Sequence, residues 1–414
     1  MARGAAPERD DVVSVAEAAA MLGVKPATVY AYVSRGYLTS IRGRDDRKSR
    51  LSRSEVEQFA HRRGTRPAGP AARVVRAAGP EEPAADRSEV GGIIGGRLVY
   101  RGRDAVELAG SAAYAEVAEL LWSGLPGPGG FATLDPGIRA LLTRMSAVMP
   151  EGCLPLDRLK AAAAVLGATD PLRYDLSRPA VVSVARTLAP AFVEALPIPD
   201  GCADDPAGDL VARLWVKLAG ARPSPAQLAL LTGALILLAD HGVGPSTRAV
   251  REAAARQADP YSAVLAGTSV AAGLLHGGGS SLAVQAWLEE IGSVEAVPRA
   301  LADRLVRGDR ISGFGQPRYP GADPRAVRMM QLLDDSGGRP ERLRIVHQVI
   351  DLVRSRRSLD PNAEFALGAM CFVHGMPRGA GEAVFVIARS AGWIAHAIEE
   401  YDRDGGAGGT LPRG

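Results

Sequence analysis

Two histidines in the second half of the chain are candidates for acid–base chemistry. His241 lies in the segment LADHGVGPST, and His276 lies 35 residues later, directly before a run of glycines. An imidazole can accept or donate a proton near neutral pH, and glycine lets the backbone approach a ligand closely. A helix that begins after His276 would also turn its N-terminal amide groups toward an anion. The segment therefore indicates a site for an anionic ligand.

Two arginines, a glutamate and a glycine-flanked loop lie further along the chain. Arg325 stands in Asp-Pro-Arg-Ala and Arg389 in Ala-Arg-Ser, and a planar guanidinium binds a carboxylate through two parallel hydrogen bonds. Glu364 lies in PNAEFALGAM, and Gln316 directly follows Gly313-Phe314-Gly315. A carboxylate can remove a proton while a donor stabilises the charge that develops on the substrate. Proton transfer and carboxylate binding are the chemistry that these residue types support.

The elements that must position these residues are predicted to be helices. The chain has 414 residues, of which 47% are hydrophobic and only 5% aromatic, and its mean hydropathy is +0.01. Ala, Leu and Val dominate, which favours packed helices over a β-sandwich. The length predicts two or more folding units. The expected fold class is mainly α.

Composition divides the chain into four regions. Residues 1–65 are predicted to form a small domain, and residues 66–88, rich in Pro and Ala without an apolar period, a stiff linker. Residues 89–403 should form the main helical domain, and the Gly-rich residues 404–414 a mobile tail. Residues 1–66 carry 13 Lys and Arg against 8 Asp and Glu, a difference of +5, although the whole chain is only +3. This local excess suggests an anionic partner.

The first region has the pattern of a helix-turn-helix domain. Ser14, followed three residues later by Glu17, predicts a capped helix through Leu22. A second helix should begin near Pro26 and stop at Gly36, and a short strand and a basic loop follow. The arrangement resembles the small winged helix-turn-helix DNA-binding domains of the MerR and excisionase type.

That resemblance implies contacts with DNA. The second helix would face the major groove and the basic loop the neighbouring phosphates, through Thr28, Tyr30, Arg35, Arg42, Arg44, Arg47 and Lys48. The predicted small core consists of Ala16, Ala19, Leu22, Val29, Val33 and Leu38. In the alternative interpretation, the region is a helical appendage for protein docking whose basic loop is simply solvated.

Four segments of the main domain together resemble the citrate synthase family. They are Gly91–Pro126, Leu238–Thr247, Gly273–Ile291 and the motifs between Ile311 and Glu400. The resemblance implies an all-helical domain of two lobes, with the smaller lobe near residues 277–375, and a homodimer. It also implies a site that binds an acyl-CoA and an oxoacid such as oxaloacetate.

The resemblance assigns a role to each candidate residue. Glu364 would remove a proton from the acyl methyl group, His276 would donate to the thioester oxygen, and Gln316 would lie beside the ketone of the oxoacid. His241, Arg325 and Arg389 would hold the oxoacid carboxylates. Gly313, Phe314 and Gly315 would form the acyl-CoA loop.

Three positions depart from the family pattern. The family places a His where this chain has Gln316, and an amide can donate a hydrogen bond but cannot carry charge or transfer a proton. The family base is usually Asp, and Glu364 is one methylene longer. The final segment, DGGAGGTLPRG, has no convincing match to the arginine that the family delivers into the neighbouring subunit.

Two hypotheses follow for the function. In the first, the protein is a condensing enzyme of the citrate or 2-methylcitrate synthase kind with an appended DNA-binding domain. In the second, it is a transcription regulator whose degenerate synthase domain senses an acyl-CoA or oxoacid without turnover. Release of CoA thiol separates the two, because only the first expects it.

No separate cofactor, metal or membrane partner is expected. Acyl-CoA would be a substrate, and the three cysteines lie far apart in no metal-ligand spacing. The start, MARGAAPERDD, lacks an apolar signal segment, and the most apolar stretch, Leu228–Ala239, is too short to span a bilayer. A reduced cytoplasmic protein is the resulting prediction.

Overall fold

The computed structural model describes residues 12–22, 24, 26, 29, 33, 38, 40–41, 50–53, 56–57, 88–125, 127–203, 205–206, 208–273 and 277–406. The chain divides into two compact units, Met1–Glu81 and Glu82–Gly414. The predicted DNA contacts all lie outside the described residues; they are Thr28, Tyr30, Arg35, Arg42, Arg44, Arg47 and Lys48. The linker and tail predictions concern mostly residues outside these ranges as well, so the predicted domain boundaries remain predictions.

The first unit contains a three-stranded antiparallel sheet and a short helix. Strand β1 (Val12–Ser14) leads directly into helix α1 (Val15–Leu22), and strands β2 (Ser40–Ile41) and β3 (Arg50–Ser52) follow. Strand β3 lies between β1 and β2 in the sheet. Strands β2 and β3 pair antiparallel on either side of the segment that is predicted to be a basic loop.

The predicted capping box of α1 is present, but one core prediction was wrong. The backbone N–H of Ser14 donates to Glu17 Oε2 (2.7 Å), and the N–H of Glu17 donates to Ser14 Oγ (3.2 Å). Because this cap starts the helix at Val15, the buried stripe runs through Val15, Ala18, Ala19 and Leu22. Ala16 falls on the opposite face and is exposed, contrary to the prediction.

The second unit opens with a small antiparallel meander and continues almost entirely as helices. The meander consists of β4 (Gly91–Ile94), β5 (Arg97–Tyr100) and β6 (Arg103–Asp104). The helices are α2 (Ala105–Ser111), α3 (Tyr114–Ser123), α4 (Pro136–Val148), α5 (Pro155–Thr169), α6 (Arg178–Ala195), α7 (Leu210–Ala219), α8 (Pro225–Leu238), α9 (Pro245–Ala255), α10 (Pro260–Ala271), α11 (Gly277–Ile291), a 3₁₀ turn (Val294–Ala296), α12 (Val297–Arg307), α13 (Pro324–Asp335), α14 (Pro340–Arg357), α15 (Ala363–His374) and α16 (Ala380–Gly406). The mainly helical fold class is confirmed.

Several of these helices begin where an N-cap residue precedes a proline. Asp135, Asp259 and Asp323 each accept N–H bonds from the first turn of α4, α10 and α13, and Ser224 does so for α8. A proline follows each cap, where its fixed φ suits the first turn and its missing N–H costs nothing. The local sequence therefore determines these starting points.

Helices α8 and α16 form the centre of the second unit. From Ala380 to Ile398 every residue of α16 is buried, which is typical of a helix surrounded by others on all faces. Helix α16 packs against α3, α5, α6, α8, α9, α10, α11 and α15. A single apolar core extends from Val90 to Tyr401, so both predicted lobes contribute to it.

Glycine permits the closest approach between α16 and the end of α8. A Cβ atom added at Gly392 would lie 2.3 Å from Ala239 O and 2.9 Å from Asp240 Oδ1. Any side chain there would push the two segments apart, and these segments carry two candidate site residues, Arg389 and His241. No helix within the described ranges is both long and apolar enough to cross a membrane.

Candidate active site

The Gly-Phe-Gly loop is fixed against the segment that precedes α15. The N–H of Gly315 donates to Asp360 O (2.9 Å), and the N–H of Asn362 donates to Gly313 O (2.9 Å). The ring of Phe314 packs on that of Phe365 with centroids 4.7 Å apart. Gly313 has φ +83°, and a Cβ there would meet Phe365 Cβ at 2.8 Å. Glycine is thus required at this position, and the loop is held beside the start of α15.

Glu364 lies in the first turn of α15, beside this loop. Its Oε2 atom is buried and has no hydrogen-bond partner among the described residues. Burial raises the pKa of Glu364, while the guanidinium groups of Arg325 and Arg389 oppose that rise. Burial with one oxygen left without a donor disfavours the anion, which makes the carboxylate a stronger base than an exposed one. The geometry therefore suits proton abstraction.

Arg325 is held at the start of α13 by a buried ion pair. Its Nε and Nη2 atoms donate to the two carboxylate oxygens of Asp323 at 3.0 and 2.8 Å, and the side chains are 3% and 0% exposed. Asp323 also caps α13 and accepts the N–H of Ala363 (3.1 Å). Burial by itself would lower the pKa of Arg325, but Asp323, Tyr319 and Glu364 together raise it above its usual value. The pair keeps the guanidinium charged and immobile. Through Asp323 the pair also contacts the backbone of Ala363, the residue directly before Glu364.

His241 contacts two side chains of the loop that follows Gln316. Its Nε2 atom lies 2.9 Å from Tyr319 Oη, and its Nδ1 atom lies 3.4 Å from Arg318 Nη1. Since a guanidinium can only donate, Nδ1 accepts and Nε2 carries the proton. Burial and the charges of Arg325, Arg318 and Arg389 hold the pKa of His241 well below its usual range. His241 is therefore a neutral hydrogen-bond donor.

Arg389 is buried in the middle of α16. Its Nε atom donates to Leu238 O at the end of α8 (2.7 Å), and its guanidinium lies 4.8 Å from the centroid of the Phe385 ring. Burial lowers the pKa of Arg389, and the nearby carboxylate of Asp240 opposes this. The bond to Leu238 O sets the direction of the guanidinium.

Four of the six residues predicted for catalysis and oxoacid binding share one electrostatic neighbourhood. Arg325 and Arg389 perturb the pKa values of both His241 and Glu364, which requires that all four lie close together. Gln316 lies on the loop that ends at Tyr319, and its Oε1 accepts the N–H of Arg318 (3.4 Å). The sixth, His276, lies outside the described residues. The roles of these residues remain predictions.

Sequence reasoning missed residues that hold the predicted ones. Tyr319, Arg318 and Asp323 contact His241 or Arg325, and Asp240 lies beside Arg389. Only their position in the sequence could have indicated them, because each lies within three residues of a candidate residue. The part of the chain that the structure describes contains no cluster of His, Cys, Asp or Glu suited to a metal.

Comparison with known proteins identifies the family. The family model for the citrate synthase C-terminal domain matches residues 79–408. The citrate synthase of Acidithiobacillus ferridurans is 30% identical over 353 residues, which cover 78% of this chain and 91% of that protein. The chain belongs to the citrate synthase family. A helix-turn-helix model matches residues 12–64, so the N-terminal resemblance is confirmed as well.

Further relatives extend the family both in activity and in structure. The 2-methylcitrate synthase of Mycobacterium tuberculosis is 29% identical over 318 residues, 73% of this chain and 81% of that protein. The crystal structure of citrate synthase from Thermotoga maritima is 26% identical and superposes with a TM-score of 0.62 over 76% of this chain and 88% of that one. These matches support a citrate synthase-like fold and, as the class of activity, a citrate synthase-like transferase.

Proposed function

We propose that the second unit condenses a short acyl-CoA, such as acetyl-CoA, with oxaloacetate or a related oxoacid and releases CoA. The observation that carries this proposal is the placement of Glu364. Its Oε2 atom is buried without a hydrogen-bond partner in the described part of the chain, and the carboxylate lies within the field of two buried guanidinium groups. This placement supports a single site that combines a base for carbon acid chemistry with a receptor for carboxylates.

The chemical steps follow from these groups. Glu364 removes a proton from the methyl carbon of the acyl thioester, and His276 donates to the thioester oxygen as negative charge grows there. The resulting enol carbon attacks the ketone carbon of the oxoacid while the enol oxygen returns its proton to His276, so that a carbon–carbon bond forms. The ketone oxygen becomes an alkoxide, which takes up a proton from water to give the hydroxyl. Gln316 supplies a hydrogen bond to that oxygen. Water then cleaves the thioester and releases CoA as the free thiol.

The oxoacid carboxylates are assigned to the charged half of the site. Arg325 and Arg389 carry buried guanidinium groups. Neutral His241 can donate a hydrogen bond from Nε2 to the oxoacid when the oxoacid replaces Tyr319 Oη as its acceptor. Ion-assisted hydrogen bonds of this kind are about twice as strong as neutral ones. A dicarboxylic oxoacid fits the two guanidinium groups.

A thiol-release assay tests the proposal. Wild type would be offered acetyl-CoA and propionyl-CoA, each with oxaloacetate and with other oxoacids, and release of free CoA would be followed. We expect release with at least one pair, abolished by His276→Ala and unchanged by His347→Ala, because His347 and its partner Asp334 are both exposed to solvent. Absence of release with every pair, despite tight oxoacid binding, would overturn the enzyme proposal.

The helix-turn-helix match favours a second candidate function for the first unit, DNA binding. Its 13 Lys and Arg against 8 Asp and Glu in residues 1–66 supply positive charge for phosphates. We expect the triple variant Arg42→Ala, Arg44→Ala, Arg47→Ala to weaken duplex binding and flatten its salt dependence. An unchanged salt slope in a filter-binding titration would contradict DNA binding. Specific DNA binding requires two copies of such a unit. A homodimer would supply both copies, and light scattering would detect it.

A further inference from the structure

Asp240, directly before His241 in the chain, is completely enclosed. Its Oδ1 atom lies 3.1 Å from His396 Nε2, and its Oδ2 atom accepts the N–H of Gly242 (2.8 Å). Cβ atoms added at Gly91 and Gly392 would lie 2.7 and 2.9 Å from the same two oxygens. Two glycines therefore leave just enough room for this carboxylate, and it has no access to water.

Hydrogen-bond accounting shows that His396 carries a positive charge. The hydroxyl of Ser88 donates its one proton to Glu399 Oε2 (2.8 Å), so its oxygen must accept from His396 Nδ1 (3.2 Å). The other ring nitrogen, Nε2, faces the carboxylate of Asp240 and must donate as well. Although burial opposes the charge, Asp240 and Glu399 raise the pKa of His396. His396 is thus a buried imidazolium between two carboxylates.

Two cations on one helix face lie near Asp240. Arg389 and His396 are seven residues apart on α16, two turns on the same side, and both lower the pKa of Asp240. In the structure, the Asp240 carboxylate is occupied by His396 and by the N–H of Gly242, whereas Arg389 donates Nε–H to Leu238 O (2.7 Å). Asp240 is thus paired with His396, while the Nε–H of Arg389 is directed to a backbone carbonyl.

We propose that the His396 imidazolium neutralises Asp240 and thereby keeps the Arg389 guanidinium directed toward the oxoacid. This inference rests on the proposed function, because it assigns Arg389 to an oxoacid carboxylate. His396 is then a positioning residue that acts through Asp240. Ser88 and Glu399 support it from the side away from the site by holding Nδ1. Without the imidazolium, the buried carboxylate would recruit the nearest remaining cation, Arg389.

The test measures the binding of oxaloacetate and of acetyl-CoA separately, by calorimetry on the full chain. We expect His396→Gln to weaken oxaloacetate binding by roughly 10- to 100-fold, the range of one hydrogen bond to a charged group. Acetyl-CoA binding should stay within about twofold, a difference of under half a kcal/mol. The double variant Asp240→Asn, His396→Gln should restore most of the oxaloacetate affinity, because no carboxylate remains to draw Arg389 away.

His374→Gln is the matched control. His374 is the end residue of α15, bonds Ser336 Oγ (2.8 Å), and burial lowers its pKa to about 4, so it is neutral and touches none of these groups. It should leave oxaloacetate binding unchanged. A merely structural role of His396 predicts that the double variant binds no better than the single one, and this result would overturn the inference.

The remaining outcomes also decide. If wild type binds oxaloacetate and His396→Gln binds it equally well, the inference fails and the proposed function stands. If wild type binds no oxoacid, the proposed function fails and the inference with it. Should His396→Gln not fold, Glu399→Gln replaces it, since this carboxylate is 14% exposed and holds the other ring nitrogen. An oxaloacetate affinity equal to that of wild type in Glu399→Gln would then overturn the inference.

Discussion

The two halves of the candidate site differ in how closely they follow the citrate synthase family. On the oxoacid side, Arg325, Arg389 and His241 have the residue types of the family, and each is fixed by a buried or backbone partner. On the acyl side, the family's Asp is replaced by Glu364, and at the ketone of the oxoacid its His is replaced by Gln316. The residues predicted to bind carboxylates thus keep the family's types, whereas two residues predicted to act on the reacting atoms do not. We therefore expect carboxylate binding and turnover to respond to different substitutions.

The largest expected effect follows from removing the predicted base. Glu364→Gln should lower CoA release by about 10²- to 10⁴-fold, the range of a general base, and leave oxaloacetate binding unchanged. Glu382→Gln is the control, because Glu382 is a second buried carboxyl, with a pKa raised to about 7 by burial, and lies beside Lys160 and Asp157. Equal activity of wild type and Glu364→Gln would assign the base to another residue.

The next prediction concerns turnover when the family's residue type is restored at position 316. Gln316→His should raise turnover with oxaloacetate by up to roughly 100-fold, since an imidazolium is a stronger electrophile toward a ketone than an amide. Steady-state CoA release at saturating oxaloacetate measures it. No gain would mean that the loop from Gln316 to Tyr319 is adapted to a different oxoacid or that turnover is limited elsewhere.

Substituting an arginine that is predicted to bind the oxoacid should change the affinity for oxaloacetate. Arg325→Lys removes the two-pronged contact with Asp323 and should weaken oxaloacetate binding by about 10- to 100-fold. Arg328→Lys, one turn further along α13, changes the same residue type away from Asp323 and should have no effect. Similar affinities in the two variants would remove Arg325 from the binding site.

The pH dependence of kcat/KM should report the acyl side. Because burial raises the pKa of Glu364, its ionised form is lost as pH falls through a value above the usual glutamate range. Below that value, activity should drop about tenfold per pH unit, and the affinity for oxaloacetate should change less. An acid limb at the ordinary glutamate pKa would contradict an effect of burial on the base.

The smallest expected effect is on stability, at the point where the segments that carry Arg389 and His241 meet. Gly392→Ala should destabilise the second unit by about 1–3 kcal/mol, since the added Cβ would overlap Ala239 O and crowd Asp240. Gly152→Ala is the matched control, because nothing lies within 4 Å of a Cβ there and its φ is not positive. Thermal unfolding compares them. Equal midpoints would mean that α16 shifts without cost.

Local sequence signals predicted the fold class and some element boundaries correctly. The Ser14–Glu17 capping box placed α1, and helical composition indicated the main domain. The phase of the buried stripe was missed at Ala16, because one residue of displacement turns a side chain by about 100° around a helix. Helix caps can be predicted from neighbouring residues, whereas the buried face of a helix depends on which other elements pack against it.

The amino-acid sequence by itself determined which residue types were available for the site: Arg325, Arg389, His241, Glu364 and Gln316 stand in motifs that can be read in order. Only the tertiary structure decided what holds them. Asp240 and His396 are separated by 156 residues, and their contact exists because α16 crosses the end of α8 at Gly392. A buried ion pair depends on long-range packing that excludes water from both partners, and no local pattern encodes that exclusion.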